Sequence, residues 1–249
     1  MGLLTTKQYK LEKSQALGII TSGLNLAPAD SAARAGHDIP TTCAMAGACA
    51  AVCLQYAGMN NMPTHAKTRI ERTRALFANR NAFLDQMTTE LDRGLAKAQK
   101  LGWKYAHRPN LLSDLPWLGL MLAERRPNIQ FYDYTKIPKP WERVRPNYHL
   151  TYSYSERTGA WSNVEEIIAH GVNVAIVFDR TKGKALPATY RGIPVLDGDA
   201  HDLRFLDQPG HIVGLRFKGA RRKLDAAITG GFVLPATESA PTAAWTYHV

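Results

Sequence analysis

The stretch that decides the architecture is Val164-Glu165-Glu166-Ile167-Ile168-Ala169-His170-Gly171-Val172-Asn173-Val174-Ala175-Ile176-Val177-Phe178-Asp179. Val164 to His170 carries apolar residues at the spacing of a helix face, and Val172 to Phe178 is an apolar run of strand length. A helix feeding directly into a strand is the repeating unit of a parallel sheet, whose crossovers are right-handed.

The same alternation extends outward. Trp103 to His107, Ile129 to Tyr134, Tyr148 to Tyr154, Ile193 to Leu196 and His211 to Phe217 read as strands, with a helix over Leu115 to Glu124 and a brief helical turn over Leu203 to Leu206. Towards the N-terminus, Leu17 to Thr21 reads as a strand ending in a turn, and helices follow from Pro63 and over Asn81 to Leu101, the latter stopped by Gly102.

Such a pattern fits a (β/α) barrel or a doubly wound sheet. Polar residues cluster where the strands end: His107, Arg108 and Asn110; Asp133, Thr135 and Lys136; Ser153, Ser155, Glu156 and Arg157; Asp179 and Arg180; Asp197, Asp199, His201 and Asp202. In a parallel barrel those ends share one mouth. The expectation is therefore an α/β fold, an incomplete parallel (β/α) barrel of about six or seven strands. The 249 residues read as a single domain, with residues 1–15 irregular, residues 24–62 a long loop after the first strand, and residues 236–249 a C-terminal tail.

Lys and Arg number 31 against 21 Asp and Glu, a formal net charge of +10. That excess favours a polyanion such as nucleic acid, or else serves solubility. The densest basic stretch is Arg216, Lys218, Arg221, Arg222 and Lys223. No run is long and apolar enough to span a bilayer, and Met1 to Lys13 lacks the apolar core of a signal peptide.

All 3 cysteines, Cys43, Cys49 and Cys53, fall in one segment with spacing C-x5-C-x3-C. An odd, crowded set is not a disulfide framework and points to a reducing compartment, the cytoplasm. Ala44, Ala46, Gly47, Ala48, Ala50 and Ala51 are small enough to let the backbone curl and turn three thiolates to one centre. Soft thiolates select zinc, copper(I) or iron-sulfur clusters. Zinc would need a fourth ligand such as His65 or His201, whereas a cluster tolerates looser spacing because each cysteine takes a different iron. The reading favours a 4Fe-4S over a 3Fe-4S cluster, with one iron free for a substrate, adenosylmethionine, or a His, Asp or water ligand. Lys136, Glu156, Asp199 and His201 are the candidate catalytic partners.

Gly23-Leu24-Asn25-Leu26, the cysteine segment, Phe131-Tyr132-Asp133-Tyr134-Thr135-Lys136, Asp197-Gly198-Asp199-Ala200-His201-Asp202-Leu203-Arg204-Phe205 and Ile212-Val213-Gly214-Leu215-Arg216 together resemble the bacteriophage gene 88 protein family over about residues 15 to 235. The resemblance implies a phage-encoded protein made in the bacterial cytoplasm and names no reaction. More distantly, the cysteine segment is similar to radical S-adenosylmethionine enzymes, which carry three cluster cysteines after the first strand of a partial barrel. Their C-x3-C-x2-C spacing and aromatic before the last cysteine are replaced here by C-x5-C-x3-C and Val52. Three functions are thus expected in competition: a cluster enzyme acting on a small molecule, a cluster protein binding nucleic acid or a host protein, and a structural zinc protein.

Overall fold

A computed structural model describes residues 2–7, 9–158, 161–219 and 223–237 of the chain. In chain order its elements are β1 (Leu4–Thr5), α1 (Tyr9–Glu12), β2 (Ile19–Leu24), α2 (Ser31–Arg34), α3 (Pro63–Ala78), α4 (Arg80–Lys100), β3 (Lys104–Arg108), α5 (Pro116–Arg125), β4 (Gln130–Thr135), β5 (Tyr148–Ser153), α6 (Trp161–Ala169), β6 (Val174–Phe178), β7 (Thr189–Tyr190), β8 (Ile193–Asp197), β9 (Ile212–Arg216), α7 (Leu224–Thr229) and β10 (Val233–Leu234).

The strands form a 10-stranded sheet in the order β1-β2-β3-β4-β5-β6-β9-β8-β7, with β10 on β6. From β2 to β8 along this order every pairing is parallel, and only the edge strands β1 and β7 are antiparallel. The protein is mixed α/β and its sheet is open, ending at β1 on one side and β7 on the other. Strand β5 pairs with β6 only as far as Ala175, and β10 takes over beside Val177 and Phe178.

Side chains alternate between the two faces of the sheet. Tyr105, Phe131, Tyr148 and Leu150 pack under α4 and α5 with Leu84, Leu91 and Leu122, while Tyr152, Val174, Ile176 and Ile212 pack under α6 with Val164 and Ile167. Two helical glycines make this layer close. A Cβ on Gly94 would stand 2.4 Å from the Tyr105 hydroxyl, and one on Gly119 would stand 2.3 Å from the Tyr148 ring. On the opposite face the intervening residues Ala106 and Tyr132 meet Leu203 and Phe205. That face is unusually polar further along, with Arg108 and Thr151 also buried.

The expected strands and long helices are present, with ends shifted by a few residues. Residues 1–15 depart from the expected irregular segment: β1 pairs with β2, and α1 runs into a 3-10 turn over Lys13–Leu17. Ser14 explains why, since its hydroxyl donates to the backbone carbonyl oxygen of Leu11 and fixes the turn against β2. Polar sequence here reflects an edge position, not lack of structure. Of the expected C-terminal tail, residues 238–249 lie outside the described residues, and Ala236 is buried. Among the described residues no helix is long and apolar enough to cross a membrane.

Candidate functional site

The connection from β2 to α3 contains α2 and three short 3-10 turns, over Ala48–Ala50, Leu54–Tyr56 and Gly58–Asn61. It folds over the C-terminal ends of the strands and there borders a half-open cavity of ≈ 260 Å³. Cys43, Cys49 and Cys53 all line it, facing Arg108 from β3, Lys136 just past β4, Ser153 and Tyr154 at the end of β5, Val177 of β6, and Leu215 and Arg216 of β9. Ligands of open parallel sheets bind at this edge because loops from distant parts of the chain meet there.

Backbone bonds set each cysteine. The Thr42 hydroxyl donates to the Ala27 carbonyl at 2.6 Å, and the Asp114 amide donates to the Thr42 carbonyl at 2.8 Å, so Cys43 and Asp114 run side by side as a β-bridge. Ala29, held at φ 49°, points its N–H at the Cys43 sulfur at 3.3 Å. Around Cys49, the Ala48 N–H donates to Glu156 Oε1 at 2.6 Å and Arg157 donates to the Ala46 carbonyl at 3.1 Å. A Cβ on Gly47 would lie 1.8 Å from Glu156 Oε1, so a larger residue there would have to push that carboxylate aside.

The cysteines are free. Burial pushes the Cys43 thiol up to about 11, against the opposing pull of the Ala29 N–H, and burial likewise raises Cys53. Both are thiols at neutral pH, and a metal would have to displace their protons. Lys136 is buried at 9% exposure, with its ammonium donating to the Tyr154 carbonyl. Burial pulls its pKa down, against the opposing influence of Cys49, Glu156 and Asp114. Asp114 Oδ2 accepts the Lys136 amide at 2.8 Å, and its Oδ1 is buried without a partner. The floor is an ion pair: Arg108 Nη1 stands 2.9 Å from Asp202 Oδ2, and the guanidinium lies 4.6 Å over the Tyr134 ring.

Of the residues expected at the mouth, the three cysteines and Lys136 line the cavity together. Glu156 braces the cysteine segment without itself forming the wall. Asp199 lies at the rim, holding Arg216 at 3.2 Å and Lys218 at 2.5 Å. His201 stands apart, its Nδ1 3.2 Å from Arg204 and its Nε2 4.0 Å from Asp207, and His65 is exposed on α3. The basic stretch is divided too: Arg216 and Lys218 are paired with acids, Lys223 donates to the Ala51 carbonyl, and Arg221 and Arg222 lie outside the described residues. Arg108, already noted at a strand end, forms the floor; Asp114 was not foreseen. Its signal in the sequence, an acid two residues before Pro116, is the ordinary signature of a helix start. Among the described residues no group of three or more His, Cys, Asp or Glu is gathered around a point that could hold one metal ion.

An open parallel α/β sheet with three free thiols on a cavity at its C-terminal edge defines a thiol-pocket α/β protein. The chain belongs to the Gene product 88 family, a bacteriophage family whose model matches residues 3–233. No curated protein and no solved structure matches it. The more distant likeness to radical S-adenosylmethionine enzymes finds no support in these comparisons.

Proposed function

We propose that the protein binds an iron-sulfur cluster, of the 4Fe-4S type, in the cavity at the C-terminal edge of the sheet, through Cys43, Cys49 and Cys53. The observation that carries this reading is the convergence of all three cysteines and the buried Lys136 on one cavity. Lys136 places positive charge beside Cys49 where a thiolate-ligated cluster would be negative, and no carboxylate neutralises it at ion-pair distance among the described residues. Thiolates of a cubane bind different irons and need not meet at a point. Zinc is the weaker alternative, because a structural zinc site gathers four ligands about one ion. In this reading the seven parallel strands from β2 to β8 form the wall of an incomplete barrel with the cluster at its mouth.

The test is protein purified without oxygen, with absorption spectra and iron and sulfide analysis. The protein is expected to be brown, and Cys43→Ala, Cys49→Ala and Cys53→Ala are each expected to lose the colour. Retention of a full cluster by any two of these variants would overturn the assignment.

A further inference from the structure

Among the described residues the cavity wall carries four cations, Arg108, Lys136, Arg216 and Lys218, and one carboxylate, Asp114. We propose that the cavity binds a small organic monocarboxylate, its carboxylate on the Lys136 ammonium and its apolar body against the strand ends. The inference goes beyond the cluster reading and concerns the iron-free protein, so each stands or falls by itself.

Three of the four cations are already matched. Arg108 faces Asp202, and Arg216 and Lys218 draw on Asp197 and Asp199 at the rim. Lys136 is the exception. Asp114 and Glu156 influence its charge, yet neither stands at ion-pair distance, and each is committed to a backbone N–H, that of Lys136 itself at 2.8 Å and that of Ala48 at 2.6 Å. An ammonium has three N–H donors. Here one acceptor is in place, the Tyr154 carbonyl, with the Phe232 ring centre 5.5 Å away. Tyr154 and Phe232 both border the cavity, so the ammonium lies among residues of its wall. A buried charge is costly until it is paired and hydrogen-bonded, and the two oxygens of a carboxylate supply both needs at once.

The rest of the wall sets the body of the ligand. Val52, Leu54, Leu111, Val177, Leu215 and Phe217 present apolar side chains from the cysteine segment and from the ends of three strands. At ≈ 260 Å³ the cavity falls just below the roughly 300–1,000 Å³ of sites for drug-sized molecules, and its half-open mouth gives entry. An acid with a single ring or a short chain matches that space, and one negative charge matches the one cation without an acidic partner.

The experiment titrates iron-free, full-length protein with phenylacetate and octanoate, with their uncharged amides, and with inorganic phosphate, reading Tm and binding heat. The carboxylates are expected to raise Tm with concentration, as a ligand of the folded state does, and to bind about tenfold or more tightly than the amides. Lys136→Met, which keeps most of the stem and whose folding is followed by circular dichroism, is expected to lose that preference. Equal binding of acid and amide to the parent would overturn the inference, as would no binding of either acid. Phosphate binding as tightly as the acids would place the anion on the rim cations and overturn it too, and so would an undiminished preference for the acids in folded Lys136→Met.

Discussion

Glu156, three residues beyond the end of β5, accepts the N–H of Ala48 at 2.6 Å, joining residues 108 positions apart in the chain. The bond falls on the residue next to Cys49 and fixes that turn to the sheet. Replacing Glu156 by Ala removes a charge-assisted hydrogen bond worth about 1.5 kcal/mol, so in the proposed cluster-bound form the half-life in air should shorten roughly tenfold. Glu156→Gln keeps an acceptor and should fall between Ala and the parent. Timed loss of visible absorption checks this, and an unchanged half-life for Glu156→Ala would show that the turn holds itself.

Lys136 presents a trade between stability and site. Its ammonium is buried beside the cavity with a single carbonyl acceptor and no carboxylate at ion-pair distance. Methionine keeps most of the aliphatic stem and removes the buried charge. In the absence of iron, Lys136→Met should be more stable than the parent by about 1 kcal/mol in urea unfolding. With the cluster bound the order should reverse, because the variant lacks the positive charge beside Cys49. A variant less stable in both states would mean that the Tyr154 carbonyl contact, not the charge, is what Lys136 supplies.

The legible part of this molecule is what depends on local pattern. The run Val172 to Phe178 and the periodic Phe83, Leu84, Met87 and Leu91 announced a strand and a helix because each buries one continuous face. The cysteine cluster was legible because three thiols in one segment have few other uses. What escaped is what only pairing creates: β1, β7 and β10 are two residues long and exist through their neighbours. His201 looked like Asp199, two residues earlier in the chain, yet it turns to Arg204 and not to the rim of the cavity. Asp114 was hidden for the opposite reason, since its sequence context has a complete local explanation and its proximity to Cys43 arises from chain segments 71 residues apart.

Arg108 and Asp202 are both nearly inaccessible, at 8% and 5% exposure, and their contact ties the segment after β8 to the floor of the cavity. Breaking a buried pair from one side leaves a charge in a poor solvent and costs about 3–5 kcal/mol. Arg108→Met should therefore lower Tm by roughly 10 °C. Pairing it with Asp202→Leu should recover much of the loss, since two apolar residues replace two charges. Thermal unfolding of the single and double variants measures this. A double variant as unstable as the single would show that the Tyr134 stacking of Arg108, which both variants lose, is the larger contribution.

His107 is completely buried under α4, with Nδ1 2.8 Å from the Ser22 hydroxyl, its ring edge-on to Phe131, and Nε2 without a partner. Burial pulls its pKa from 6.5 down to about 3, whereas burial pushes Asp133 in the same layer up to about 7. The two act in opposite directions. Between pH 6.5 and about 3 the unfolded chain binds a proton at His107 that the folded protein refuses, so stability falls on acidification by about 1.4 kcal/mol per pH unit. Between about 7 and 3.8 the folded protein keeps a proton on Asp133 that the unfolded chain releases, so stability rises on acidification. His149, lowered to about 4 by burial, adds to the histidine side. His107→Gln retains an acceptor or donor for Ser22 and cannot titrate. Its Tm relative to the parent should therefore climb by about 4 °C for each unit that pH falls from 6.5 towards 4. Paired melting curves across that range check it, and a constant difference would show that the folded protein admits a proton at His107.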